Sequence, residues 1–220
     1  MASIAGLALA SAANAAVTFT FRDPGSPREV SYVQGNGVNP GTITYSSPTA
    51  VELVFNGAPE GLPVITYQTT LTMNITVGVG NGFGGLFAAP VSGTFTFRDN
   101  VSNQNVLTGT LLNGALLTFG TTGGIAGTSS NNTLIYTVGG PLATVFASAG
   151  LTITPKFDGA FSLSDINPQP VALTPDGYIA SFQASAAFVG NADVVPSAGS
   201  AALAGVAAAV LLPGRKRRTA

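Results

Sequence analysis

The chain has 220 residues, of which 45% are hydrophobic and only 8% charged, about a third of the charge that soluble domains ordinarily carry. It has no Cys, no His and no Trp, which excludes disulfides, thiol nucleophiles, Ser-His-Asp triads and His-ligated zinc sites. The net charge of -1 conceals a segregation: four of the eight basic residues are Arg215, Lys216, Arg217 and Arg218, and the mildly acidic body that remains has no basic patch for nucleic acid.

At the N-terminus, residues 4–12 form a short apolar run of small side chains, followed by Ala13-Asn14-Ala15 and then Ala16. This is the arrangement of a secretory signal peptide with an A-x-A cleavage site. Residues 1–15 are therefore expected to be removed, leaving Ala16 as the mature N-terminus. No Lys or Arg precedes Arg22, so the charged n-region is expected upstream of Met1.

Residues 16–194 read as one β-domain. β-Branched or aromatic residues alternate with Thr or Ser over 17–21, 42–45, 51–55, 69–77, 93–97, 132–138, 150–154 and 178–185, the period of strands with one buried face. Asp23-Pro24-Gly25, Asn39-Pro40-Gly41, Gly139-Gly140-Pro141, Asp158-Gly159 and Asp176-Gly177 separate them. Pro-Gly suits a type II turn and Asp-Gly a type I′ hairpin. No stretch of the body shows sustained helical periodicity. The expected fold class is all-β, an antiparallel β-sandwich or jelly-roll-like body followed by a lone C-terminal apolar helix. Thr on the solvent faces explains how so few charges keep the surface wet. The six residues from Thr18 to Asp23 recur word for word from Thr94 to Asp99, as two equivalent strands of one sandwich would.

Residues 195–220 form a separate segment. Residues 198–212 are small and apolar without charge, and Pro213-Gly214 and the basic cluster come after them. As a helix the run spans about 22 Å, short of the roughly 30 Å hydrocarbon core. The positive-inside rule keeps the basic cluster cytoplasmic and leaves the body outside. Val195-Pro196, Ser200, the Ala/Leu/Gly/Val run and the terminal Arg215-Lys216-Arg217-Arg218 resemble the PEP-CTERM type of sorting signal. The family's Pro-Glu-Pro core falls on Pro196-Ser197-Ala198, so the acid and the second Pro are absent. The resemblance implies export to the envelope or outer surface of a Gram-negative bacterium. It also implies transient recognition by an exosortase-type membrane protease, membrane contact through the tail, and an exopolysaccharide setting. Gly93-Thr-Phe-Thr-Phe-Arg-Asp-Asn100, Val106-Leu-Thr-Gly-Thr-Leu111, Tyr136-Thr137 and Phe161-Ser-Leu-Ser-Asp-Ile166 resemble passengers carried by such tails, which are mostly uncharacterised β-sandwich proteins.

Within the body, Gly80, Gly82 and Gly85 satisfy GxGxxG after a strand. The next stretch is short and ends at Pro90, so no helix N-terminus is expected to receive a pyrophosphate, and the segment reads as an inter-strand loop. Asp158, Asp165 and Asn167, or Asp99 and Asn100, are the oxygen ligands best suited to calcium. No EF-hand pattern occurs, and these residues read as turn formers. A sugar site needs exposed aromatic platforms, for which Tyr32 and Tyr178 are the candidates. The acids Glu52, Glu60, Asp158 and Asp176 are scattered, without the paired arrangement of a glycosidase. The expectation is a non-catalytic, surface-sorted protein without cofactor or metal. The alternatives are an exopolysaccharide-binding module and a carboxylate-dependent hydrolase.

Overall fold

A computed structural model of the chain describes residues 15–22, 28–128, 134–168 and 171–197. Ala13, the expected terminal helix and Arg215, Lys216, Arg217 and Arg218 lie outside the described residues.

The strands are β1 (Ala15–Phe21), β2 (Val30–Val33), β3 (Gly41–Tyr45), β4 (Val51–Asn56), β5 (Val64–Val77), β6 (Asn81–Phe83) and β7 (Leu86–Asp99). They continue with β8 (Asn105–Phe119), β9 (Thr122–Thr128), β10 (Leu134–Val138), β11 (Leu151–Asn167) and β12 (Phe182–Pro196). Period-2 patterning selects them, and β5 shows how. Tyr67, Leu71, Met73, Ile75 and Val77 are buried, while Thr66, Gln68, Thr70, Thr72 and Asn74 face outward. The one polar inward residue of that row, Thr69, donates its hydroxyl to the Val51 carbonyl at 3.0 Å, which offsets the cost of burying it.

Every ladder is antiparallel, and the ladders close on themselves. β1 pairs β4, β4 pairs β5, β5 pairs β7, β7 pairs β8, β8 pairs β9, β9 pairs β11, β11 pairs β12, and β12 returns to β1. β2 and β3 continue the courses of β1 and β4 toward the other end, where β2 pairs β12 and β3 pairs β5. The ladders form a single sheet whose opposite walls face each other across the core, as the two layers of a sandwich do, with Phe21 of β1 meeting Phe97 of β7. The connections run between neighbours in the chain, an up-and-down meander, instead of the crossed connections of a jelly roll. Among the described residues, closure leaves only short strand edges open to another chain.

The interior is filled with rings. Phe95 of β7 meets Phe161 of β11 at a centroid distance of 4.9 Å and Phe188 of β12 at 5.2 Å. Phe21 meets Phe97 edge-on at 5.9 Å. Those two rings occupy the same place in the repeated sequence, so the two copies face each other across the core. Inward apolar and outward hydroxylated faces are the reverse of a membrane-spanning barrel.

One helix breaks the all-strand pattern of the described body. Residues Gly140–Ser148 form α1, with Pro in its first turn and Leu142 and Phe146 buried. Gly139-Gly140-Pro141, expected as a turn, instead starts this helix. Nine residues give too few turns for a periodicity to be read, and a helix this short is held by packing more than by propensity. The anchor is Phe146 against Phe55 at 5.6 Å.

Candidate functional site

The barrel has two unlike ends, and both strands that flank the chain's expected export signals finish at the same one. Ala15 is the Cα partner of Val194, and Ala16 of Asp193. Val195 and Pro196, taken from the sequence as the first tail residues, are the last residues of β12 and pair with Thr152 and Leu151. The Ser197 amide then donates to the Gly150 carbonyl at 2.7 Å. Pro196 ends the strand, a position where its missing N–H costs little. The folded ladder thus runs to the residue where the composition changes.

The acidic residues are held in structural roles or stand apart. Asp99 Oδ2 accepts from the Ser102 amide at 2.7 Å and the Ser102 hydroxyl at 2.6 Å. These bonds hold its carboxyl below the usual range, because they favour the charged form. Asn100 Oδ1 accepts from the Thr70 hydroxyl at 2.8 Å. Both residues therefore shape the β7–β8 turn. Asp165 lies on β11 with a positive φ of 57°, and its carbonyl accepts from Arg28 Nε at 3.0 Å. Among the described residues, no group of three or more acids could hold a metal ion together. Glu52 is on the outer face of β4 and accepts from Gln68 Nε2 at 2.9 Å. Glu60 sits in the 3-10 turn after β4.

Tyr32 and Tyr178, the candidate sugar platforms, are core residues at 1% and 6% exposure. Tyr32 packs against Phe182 with the rings tilted at 43° and 5.1 Å between centroids, and burial, with a smaller contribution from Tyr178, pushes its pKa up to about 12. Sequence reasoning missed this because both lie beside Gly-rich turns. The turn glycines leave room for the rings: a side chain at Gly41 would start 2.7 Å from Tyr32, and one at Gly35 would start 2.5 Å from Tyr178.

The far end carries the loops. The Gly80 amide donates to the Gly177 carbonyl at 2.9 Å, and the Gln34 amide to Ser181 Oγ at 3.0 Å. Beside them, a groove of about 250 Å³ is lined by Ser31, Val33, Asn167, Ser181 and Gln183 above the Tyr32–Phe182 pair. Its hydroxyls and amides can bind a small neutral polar group. The GxGxxG glycines build a hairpin here: β6 pairs β7, and Gly84 and Gly85 take positive φ of 58° and 84° in the turn. A strand comes after the turn, so there is no helix dipole for a phosphate. The aromatic rings exposed at this end are Phe83 and Phe119, at 89% and 60%.

The geometry defines a closed antiparallel meander with a solid aromatic core. No family model, no curated protein and no solved structure matches this chain.

Proposed function

We propose that this is an exported protein of a bacterial envelope or extracellular matrix, sorted to the surface through its C-terminal segment and acting without catalysis. The observation that carries the reading is the pairing of Ala16, the expected mature N-terminus, with Asp193. A cleavable signal that ends at Ala15 and a sorting segment that begins at Val195 both leave from one end of a body whose β1–β12 ladder is closed by the pairs from Ala16 to Phe21. Such a body stays folded while a membrane protease works at the tail, and it presents its loop end away from the bilayer. The lack of His and Cys supports a non-catalytic role by removing the commonest base and the thiol nucleophile. An exopolysaccharide is the fitting partner for the polar groove at the loop end, where Ser31, Ser181 and Gln183 supply hydroxyl and amide groups.

The test is export and fractionation of the full chain in a Gram-negative host carrying an exosortase-type protease. The expected result is a mature N-terminus at Ala16 and retention in the envelope. Loss of the tail, or neutral residues in place of Arg215, Lys216, Arg217 and Arg218, should release folded body into the medium. An intact Met1 on the exported protein, or unchanged retention without the tail, overturns the reading.

A further inference from the structure

We propose that the outer face of the β6–β7–β8–β9 arm is a self-association surface, through which two copies of this chain pack as a two-fold dimer. Elsewhere on these strands Thr recurs in the outward rows, as in Thr96 and Thr108, which lie beside Thr72 of β5 in the ladder, with Leu112 the exposed apolar residue among them. Toward the loop end the same strands change character. Phe83, Leu86 and Phe119 form one outward row, Ala88 and Leu117 the next, and Pro90, Ala115 and Ala126 the third. Phe83 is 89% exposed, Phe119 60%, Leu86 44% and Leu117 42%. Alternation along a strand places such residues outward only if the sequence keeps them there, and a contiguous exposed apolar face of this kind marks an interaction site.

Three observations choose a second copy as the occupant. The first is charge. A two-fold interface brings the residues near its axis against their own copies, so a charged side chain there meets its like. Arg98 and Asp99, at the opposite end of β7, are the only charged residues between Glu60 and Lys156, so the arm has none. The second is shape. Leu86, Leu117 and Phe119 stand as a ridge beside a groove of about 310 Å³ floored by Gly123, Gly124 and Ala126. A two-fold rotation places the ridge of one copy in the groove of the other. The third is size. Four strands about 4.8 Å apart and three rows about 7 Å apart give a footprint of roughly 400 Å². With side-chain relief, two such faces bury on the order of 1,000 Å², the low end of specific interfaces. Interfaces at that low end belong to weak, transient complexes, so a reversible dimer with a dissociation constant in the micromolar range is expected. A lipid surface fits less well. Interfacial lipid anchors carry Lys or Arg beside their apolar residues, and the arm has neither.

Sedimentation velocity on residues 15–197, which hold every paired strand and the whole described core, and on the full chain tests this. The expected result is a concentration-dependent dimer, weakened at least ten-fold by Leu117→Thr with Phe119→Thr, while the thermal melt of the dilute monomer is unchanged. The double variant continues the Thr rows already on the sheet, so it preserves strand propensity. A wild-type body that stays monomeric up to about ten times the expected dissociation constant overturns the proposal. So does a dimer that the double variant leaves intact. Flotation of the wild-type monomer with mixed phosphatidylcholine and phosphatidylglycerol vesicles, abolished by the same variant, would assign the face to lipid and equally overturn it.

Discussion

The ring of Phe95 lies over Gly109, its cross-strand partner in the β7–β8 ladder, in the space that a side chain at Gly109 would enter. Phe95 is also the hub of the core, in contact with Phe97, Tyr136, Phe161 and Phe188. The glycine is required here for room, so that a large ring can stand inward over its cross-strand partner. Phe95→Ala is expected to cost about 3–5 kcal/mol. Gly109→Val should cost at least about 1–3 kcal/mol by forcing the ring off its rotamer. Urea unfolding of the two variants measures both; an unchanged midpoint for Gly109→Val would mean that the ring has another place to go.

The Tyr136 hydroxyl donates to the Asp158 carbonyl at 3.0 Å. It stands over Gly159 and Gly190, which face each other across the β11–β12 ladder. Tyr136→Phe keeps the ring and leaves a carbonyl short of a donor, so a loss of about 1 kcal/mol is expected. Gly190→Ala should cost more, because its new methyl group meets the hydroxyl. The comparison is read from thermal melts, and the ordering Gly190→Ala worse than Tyr136→Phe is the prediction.

Alkaline pH should unfold this protein through its buried phenols. Tyr32 ionises at about 12 in the fold against 10.0 when unperturbed, with burial as the main cause. Tyr136 is raised in the same direction, by burial first and the Asp158 charge second. Between the two values the folded state holds more protons than the unfolded state. Stability is therefore complete below pH 10 and falls as the pH rises toward 12. Phenolate absorbance followed against pH, with Tyr32→Phe as the control, should show Tyr32 titrating above the ordinary phenol range or together with unfolding.

Asp99 supplies the acid-side counterpart. Its two bonds from Ser102 depress its pKa, so its contribution is present above the ordinary carboxylate pKa and is lost as pH falls through the depressed value. Ser102→Ala removes the hydroxyl bond and should lower the melting temperature at neutral pH. The difference from wild type should shrink at strongly acidic pH, where Asp99 is protonated in both. A difference that stays constant with pH would assign the effect to the turn backbone alone.

Truncation should separate the ladder from the C-terminal segment. Ending the chain after Ser197 is expected to leave the melting temperature of the body unchanged. Ending it after Asn191 removes the strand residues that pair Ala15, Ala16 and Val17 of β1 and Leu151, Thr152 and Ile153 of β11. It shortens the seam to the pairs from Thr18 to Phe21 and should destabilise the body. Equal melts for the two truncations would show that this end of the β1–β12 seam contributes nothing.

The amino-acid sequence by itself determined the strand class of this body, because period-2 burial is a local property written in residues such as those of β5. It also marked the segments before Ala16 and from Val195 onward as compositionally foreign, and it ruled out His and Cys chemistry by plain absence. Only the tertiary structure decided that β12 returns to β1, since pairing between residues as far apart as Ala15 and Val194 leaves no local trace. The same holds for α1, whose helical state rests on Phe146 meeting Phe55, and for Tyr32 and Tyr178, which turn glycines allow into the core. The apolar arm face was hidden for a related reason. Leu117 and Phe119 look like any other strand residues until the register assigns them to the outside, because burial depends on which face of a sheet meets another layer and not on the residue's own hydrophobicity.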